Sequence, residues 1–265
     1  MMEKMIFGRY IPVESILHKM DPRTKLLIVI LFICIVFLAN NPITYSLLAV
    51  FTFLAIFLSN IPPKFLFNGL KFLLFLVIFT FLLHIFFTKQ GAVIFEFGWF
   101  KIYEDGLRQA IFISLRFTFL ILVASLLTLT TTPIEITDGI ETLLNPLKKM
   151  RFPVHELALM MSIALRFIPT LMDETDKIMK AQMARGVDFS SGSLKQRAKA
   201  VVPLLIPLFI SSFKRAEELA IAMEARGYRG GEGRTKYRLL KMGSSDFFAF
   251  FVMIALLVLL ILLRS

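Results

Sequence analysis

Residues 65–87 read FLFNGLKFLLFLVIFTFLLHIFF, with one cation, Lys71, and one histidine, His84. A bilayer core about 30 Å thick is crossed by roughly 20 mostly apolar residues in a helix. The stretch therefore predicts a transmembrane span. It also predicts an all-α membrane fold, because a helix satisfies every backbone polar group where water is absent. The rest of the chain agrees: 57% of its 265 residues are hydrophobic and 29 are Phe, with a mean hydropathy of +0.75. Four further apolar runs, 26–39, 43–61, 107–129 and 247–263, bring the expected spans to about five. The first is short; taken from Arg23 to Asn40 it reaches about 27 Å as a helix, marginal for a span. Asn40-Asn41-Pro42 supplies a turn, since Asn tolerates left-handed geometry and Pro cannot extend the preceding helix, so the first two spans read as a tight hairpin. The 25 residues before them carry acids as well as bases and no small-x-small site follows, which argues against a cleaved signal sequence. Cys34, the single cysteine, reads as a small buried apolar side chain.

Cytoplasmic segments retain Lys and Arg. Lys4, Arg9, Lys19, Arg23 and Lys25 precede the first span, and none lies in the Asn40–Pro42 turn. Lys64 and Lys71 follow the second span. The loop 88–106 carries only Lys89 and Lys101 among Phe95, Phe97, Trp99, Phe100 and Tyr103, an aromatic interfacial composition. Residues 131–245 hold eighteen basic against twelve acidic side chains, and only Arg264 follows the last span. The N-terminus and 131–245 are expected inside and the C-terminus outside. Three parts follow: 1–130 with four spans, 131–245 as a cytosolic helical region, and 246–265 as a last transmembrane helix.

The internal region is too long for a loop. Pro133 opens a first helix behind Thr131 and Thr132, with an apolar stripe of Ile134, Ile136, Ile140, Leu143, Leu144 and Leu147 before Lys148, Lys149 and Arg151. A second helix is expected over 153–185, with a kink available at Pro169. A third is expected over 202–226, interrupted early by Pro203 and Pro207. All three read as amphipathic rather than membrane-spanning.

Within this region the chain repeats itself. Ala181-Gln182-Met183-Ala184-Arg185-Gly186 and Ala222-Met223-Glu224-Ala225-Arg226-Gly227 each end a helical run in Ala-Arg-Gly. Singly, such an end is ordinary termination: Arg complements the helix dipole and Gly stops the helix. As a pair, each with Ala one and four places before the Arg, they make two slim ends that each project one guanidinium. Arg offers a planar five-donor fork to carboxylates or carbonyls that Lys cannot imitate. Two such tips suggest two receptors.

Ala164-Leu165-Arg166-Phe167-Ile168-Pro169-Thr170-Leu171, continuing through Glu174 and Ile178 to Arg185-Gly186-Val187-Asp188, closely resembles the signature of the transmembrane T component (EcfT/CbiQ family) of energy-coupling factor (ECF) transporters. Pro203-Leu204-Leu205-Ile206-Pro207-Leu208, Arg215-Ala216 and Ala222 through Arg229 resemble its second block, and Asp21-Pro22-Arg23-Thr24-Lys25 its beginning. The resemblance implies an energy-coupling scaffold of an ABC-type importer for vitamins or other micronutrients. Its partners would be two cytosolic ABC-type ATPases, as a heterodimer or homodimer, and a substrate-binding membrane S component. It also implies that Ala184, Arg185, Gly186, Ala225, Arg226 and Gly227 dock in the ATPases. Arg166, Glu174 and Glu224 match the pattern and equally suit intramolecular pairing. Alternatives are a dedicated cobalt or nickel importer of the same kind and, in other classes, an intramembrane enzyme or a stand-alone secondary transporter.

No catalytic, cofactor or metal site is expected. Gly227 to Gly233 lacks the Lys-Ser/Thr of a phosphate-binding loop and reads as a connector toward 234–241; His155-Glu156 begins a zinc-protease motif, but Leu159 stands where the second His belongs. Asp173, Glu174 and Asp176 lie beside Lys177 and Lys180, as on a solvated face. Arg108 and Arg116, eight apart on one span, suit snorkelling or pairing. The net charge of +11 fits basic loops on anionic lipid, with no nucleic acid partner expected. Met150, Met160, Met161, Met172, Met179, Met183 and Met223 give 131–245 adaptable packing surface.

Overall fold

The computed structural model describes residues 10–88, 90–97, 100–189, 191, 193–231 and 239–264. Expectations placed on Lys4, Arg9, Lys89, Trp99 and 234–238 lie outside these residues. The same holds for those on the side chains of Lys64, Lys71, Phe95, Phe97, Phe100 and Lys101. The helices are α1 (Ile16–Lys19), α2 (Pro22–Val36), α3 (Pro42–Ser59), α4 (Pro63–Phe87), α5 (Glu104–Thr130), α6 (Pro133–Leu144), α7 (Val154–Ala184), α8 (Leu194–Ala225) and α9 (Ser244–Leu262). A 3-10 turn, Asn145–Met150, follows α6. The described part of Ile140–Leu239 forms one compact unit, and that of Phe7–Gly139 with Leu240–Ser265 forms the other.

In the unit built from both ends of the chain, α2, α4 and α9 run one way and α3 and α5 the other. The backbone N–H before α2, at Asp21, donates to Asp246 in the first turn of α9. At the far end, the Asn40 and Asn41 amides donate to the carbonyls of Arg264 and Leu263. Leu66 in the first turn of α4 packs with Leu126 and Leu129 near the end of α5. Gly106, opening α5, lies against the Thr88 carbonyl just past α4, where a Cβ would come within 2.8 Å. The core between these helices is Phe32, Ile35 and Val36 of α2, Leu48 of α3, Phe119 and Val123 of α5, and Met253, Leu256 and Leu260 of α9. Around it the apolar side chains point outward, Phe57 being 81% exposed and Phe87 76%. In water such a surface would aggregate; in a bilayer the solvent is itself hydrocarbon.

Several expectations change. α2 stops three residues early, where Leu38 N–H bonds to Ile35 and Arg116 takes the Ala39 carbonyl. At 15 residues it is about 22 Å long. Among the described residues, α3, α5, α7 and α9 are long and apolar enough to cross a membrane, with Leu74–Phe87 of α4 a shorter apolar stretch. α7 carries its charged face from Asp173 onward, while before it the acidic or basic side chains besides His155 are Glu156 and Arg166, and its most apolar 18 residues reach a mean hydropathy of 1.3. Cys34 is exposed, not buried, because Phe32, Ile35 and Val36 take the inward face of α2. The loop 88–106 contains an antiparallel hairpin, β1 (Val93–Phe97) and β2 (Phe100–Tyr103), pairing Val93 with Tyr103 and Phe97 with Phe100. β-branched and aromatic residues favour such a ribbon.

α8 begins eight residues before the expected start and runs through both prolines. Ser193 caps it: its hydroxyl accepts from the Gln196 N–H, and the Gln196 side chain accepts from the Ser193 N–H at 2.8 Å. That reciprocal pair starts a helix well ahead of Pro203. Of snorkelling and pairing, Arg116 shows pairing: it donates to Ala39 O at 3.2 Å and Tyr45 Oη at 3.1 Å, with its guanidinium 5.2 Å from the Phe37 ring centre. Arg108 lies 5.5 Å from the Phe112 ring.

Candidate functional site

The two Ala-Arg-Gly ends close in the same way. At the end of α7, Arg185 adopts φ −88°, ψ 7° and Gly186 turns left-handed at φ +87°. Gly186 N–H donates to Met183 O at 2.9 Å and Val187 N–H to Gln182 O at 3.1 Å. At the end of α8, Arg226 has φ −87°, ψ 7° and Gly227 φ +73°. There Gly227 N–H donates to Glu224 O at 2.8 Å and Tyr228 N–H to Met223 O at 3.0 Å. Each is a Schellman closure, in which the two residues past the cap satisfy carbonyls the helix leaves open.

Nothing lies within 4 Å of where a Cβ would stand on Gly186 or Gly227. Backbone handedness, rather than crowding, requires glycine there. Ala184, Arg185, Gly186, Ala225, Arg226 and Gly227 are all exposed, as are Ala181 and Ala222 beneath them. Neither the Arg185 nor the Arg226 guanidinium makes a hydrogen bond or ion pair among the described residues, although both backbone N–H groups bond back into their helices. The structure thus presents two narrow, alanine-faced helix ends, each with an uncommitted guanidinium.

The long helices behind the tips pack on one another, joined by an ion pair from Arg215 to Glu174 at 3.3 Å. Glu174 is therefore an intramolecular partner. Arg166 and Glu224 are exposed with no ion pair among the described residues. Past the second tip, Gly231 sits against the His155 ring so closely that a Cβ would meet its Cδ2 at 2.6 Å. His155 Nδ1 lies 3.4 Å from Glu141. Among the described residues no group of three His, Cys, Asp or Glu is placed to hold a metal ion.

Asp21, Arg23 and Lys25 form a charged cluster at the start of α2. Asp21 caps the helix, accepting from Arg23 N–H at 2.9 Å and from the Arg23 guanidinium through two further bonds of 3.0 and 2.8 Å. Burial pushes the Asp21 carboxyl up, and the hydrogen bonds and charge of Arg23 more than offset this, holding it below the ordinary aspartate range. Asp246, 2% exposed, joins this group from α9. Its only sequence signal is an acid in the first turn of an otherwise apolar helix.

The sequence model of the CbiQ family, described as a cobalt transport protein, matches residues 13–237. Along its whole length the chain is 64% identical to the whole energy-coupling factor transporter transmembrane protein EcfT of Bacillus subtilis. It is 56% identical to the EcfT of Exiguobacterium sibiricum, over 98% of this chain and 99% of that one. With the EcfT of Streptococcus thermophilus it shares 49% over the full length of both. End-to-end similarity at this level, on a helical fold with several membrane-length apolar helices, makes the chain a member of the EcfT/CbiQ family of energy-coupling factor transporter transmembrane proteins.

Proposed function

We propose that the chain is the non-catalytic coupling scaffold of an ECF importer, in which Arg185 and Arg226 dock into two ABC-type ATPases while the membrane helices engage a substrate-binding S component. ATP is hydrolysed by the partners, and the movement it produces enters this chain at the two tips. Residues 1–130 and 246–265 supply the membrane helices. Residues 131–245 face the cytoplasm with the N-terminus, and the C-terminus is external. The observation that carries the reading is the matched pair of exposed ends, alike in closure and in the free guanidinium. One-fold use of either would not require the other to be built alike. A second reading, a dedicated cobalt importer of the same architecture, is favoured by the description of the family; the same docking would serve it.

Reversing both charges tests the reading. Arg185→Glu with Arg226→Glu breaks two charged contacts at about 2 to 5 kcal/mol each, so the ATPases should no longer co-purify, while the variant elutes from size exclusion in detergent as the unaltered chain does. Undiminished ATPase capture by the double variant would exclude the docking role.

A further inference from the structure

The chain leaves its first helices through α6 and returns through the residues before α9. Both passages are fastened to the first turn of α2. Lys25 Nζ donates to Thr130 O at 3.0 Å, Thr131 Oγ1 at 3.2 Å and His18 O at 3.4 Å, fixing the residues from which α6 starts. On α6, Gly139 lies so near the same turn that a Cβ would stand 3.0 Å from Leu26 Cδ1, 3.4 Å from Pro22 Cβ and 3.5 Å from Arg23 N. On the return, Arg23 Nη2 donates to Leu240 O at 3.1 Å while the same guanidinium grips Asp21. Asp246 closes the set, accepting from Asp21 N–H at 2.9 Å and from Gly243 N–H at 2.7 Å. Its carboxylate therefore ties the beginnings of α2 and α9 together.

Capping α2 needs only the Asp21 carboxylate on the Arg23 N–H. The reach of the guanidinium to Leu240 adds nothing to that cap; it pins a residue in the stretch that follows the second tip. Gly139 lies against the backbone of the first turn of α2, and Leu240 is held by the Arg23 side chain from the same turn.

We propose that residues 21–25, with Asp246, form the anchorage through which displacement of the two Arg-tipped helices moves α2 and α9, and that Arg23 is a positioning residue for energy coupling. The proposal rests on the reading of the tips as ATPase docking points. Coupling, not assembly, is what the anchorage supplies.

The test uses the complex with its ATPases and S component, reconstituted in liposomes. Radioactive cobalt(II) and a panel of tritiated water-soluble vitamins serve as transported probes, and ATP hydrolysis is measured in parallel. Arg23→Ala should keep its ATPases and continue to hydrolyse ATP, while uptake per ATP falls about tenfold or more, the factor carried by one charge-assisted hydrogen bond. Arg23→Lys should recover part of the loss, because a point charge cannot hold Asp21 and Leu240 in one fork. In a Cys34→Ala background, Arg23→Cys with Leu240→Cys should be uncoupled until a bismaleimide bridges the pair, which restores uptake in the same preparation. Unchanged uptake per ATP in Arg23→Ala, or no gain on bridging, would overturn the proposal. So would loss of the ATPases from Arg23→Ala alone. Failure of the unaltered chain to bind ATPases would instead refute the docking reading beneath it.

Discussion

At Gly186 and Gly227 the backbone alone selects the residue, since φ is +87° and +73° and the space around each is open. Valine at both positions would meet no neighbour, yet each β-branched side chain would pay about 1 to 2 kcal/mol of left-handed strain. The helix end should then fray or close one residue later, and the direction of the Arg relative to its helix should change. Substrate uptake is expected to fall further than ATPase capture in a Gly186→Val, Gly227→Val double variant; uptake equal to that of the unaltered chain would show that the angle of the tip is immaterial. These two ends were legible in the sequence because a glycine stop is local: the six residues that make it are contiguous. Asp246 was not, since its partner Asp21 stands 225 positions away. Nor were the partners of Arg116, an exposed Cys34 or the Leu240 carbonyl, all of which depend on which helices become neighbours.

At the level of elements, length and periodicity carried the reading where one signal acted alone. Apolar runs located α3, α4, α5 and α9, and Pro133 located the start of α6. Where two signals conflicted, the weaker-looking one prevailed. Pro203 and Pro207 suggested a late start for α8, but each removes only one N–H, and the Ser193–Gln196 reciprocal cap had already begun the helix. Ser193→Ala should cost about 1 kcal/mol of local stability. It should speed amide exchange at Gln196 and Arg197 without altering exchange at Arg226, and equal exchange at the two former amides would show that Leu194–Ala225 starts without its cap. The Arg215–Glu174 pair is about one-third exposed on both sides, so at 1 kcal/mol or less, as about the usual range for such pairs, it aligns α7 and α8 more than it stabilises them.

Across the whole molecule, the parallel course of α2 and α9 sets a constraint that the charge count alone could not. The starts of these two helices share one end of their unit, and the Asn41 turn shares the other with Arg264. If residue 21 is cytoplasmic, residue 240 is too, and Arg264 is outside. Cysteines introduced at Ser191 and after Ser265 in a Cys34→Ala background should label oppositely with a membrane-impermeant thiol reagent on intact cells: the terminal one reacts and the one at 191 does not. Labelling at 191 would invert the arrangement. The same geometry bears on how the protein is made. Met253, Leu256 and Leu260, which complete the core with Phe32, Leu48 and Phe119, are synthesised long after α2, α3 and α5. Until the ribosome has delivered them, α2, α3 and α5 present that inner face to lipid and Asp21 lacks its acceptor. A nascent chain halted at Leu239 would hold every residue of both Arg tips and still be a substrate for membrane proteases, because the seal of its older half arrives only with α9.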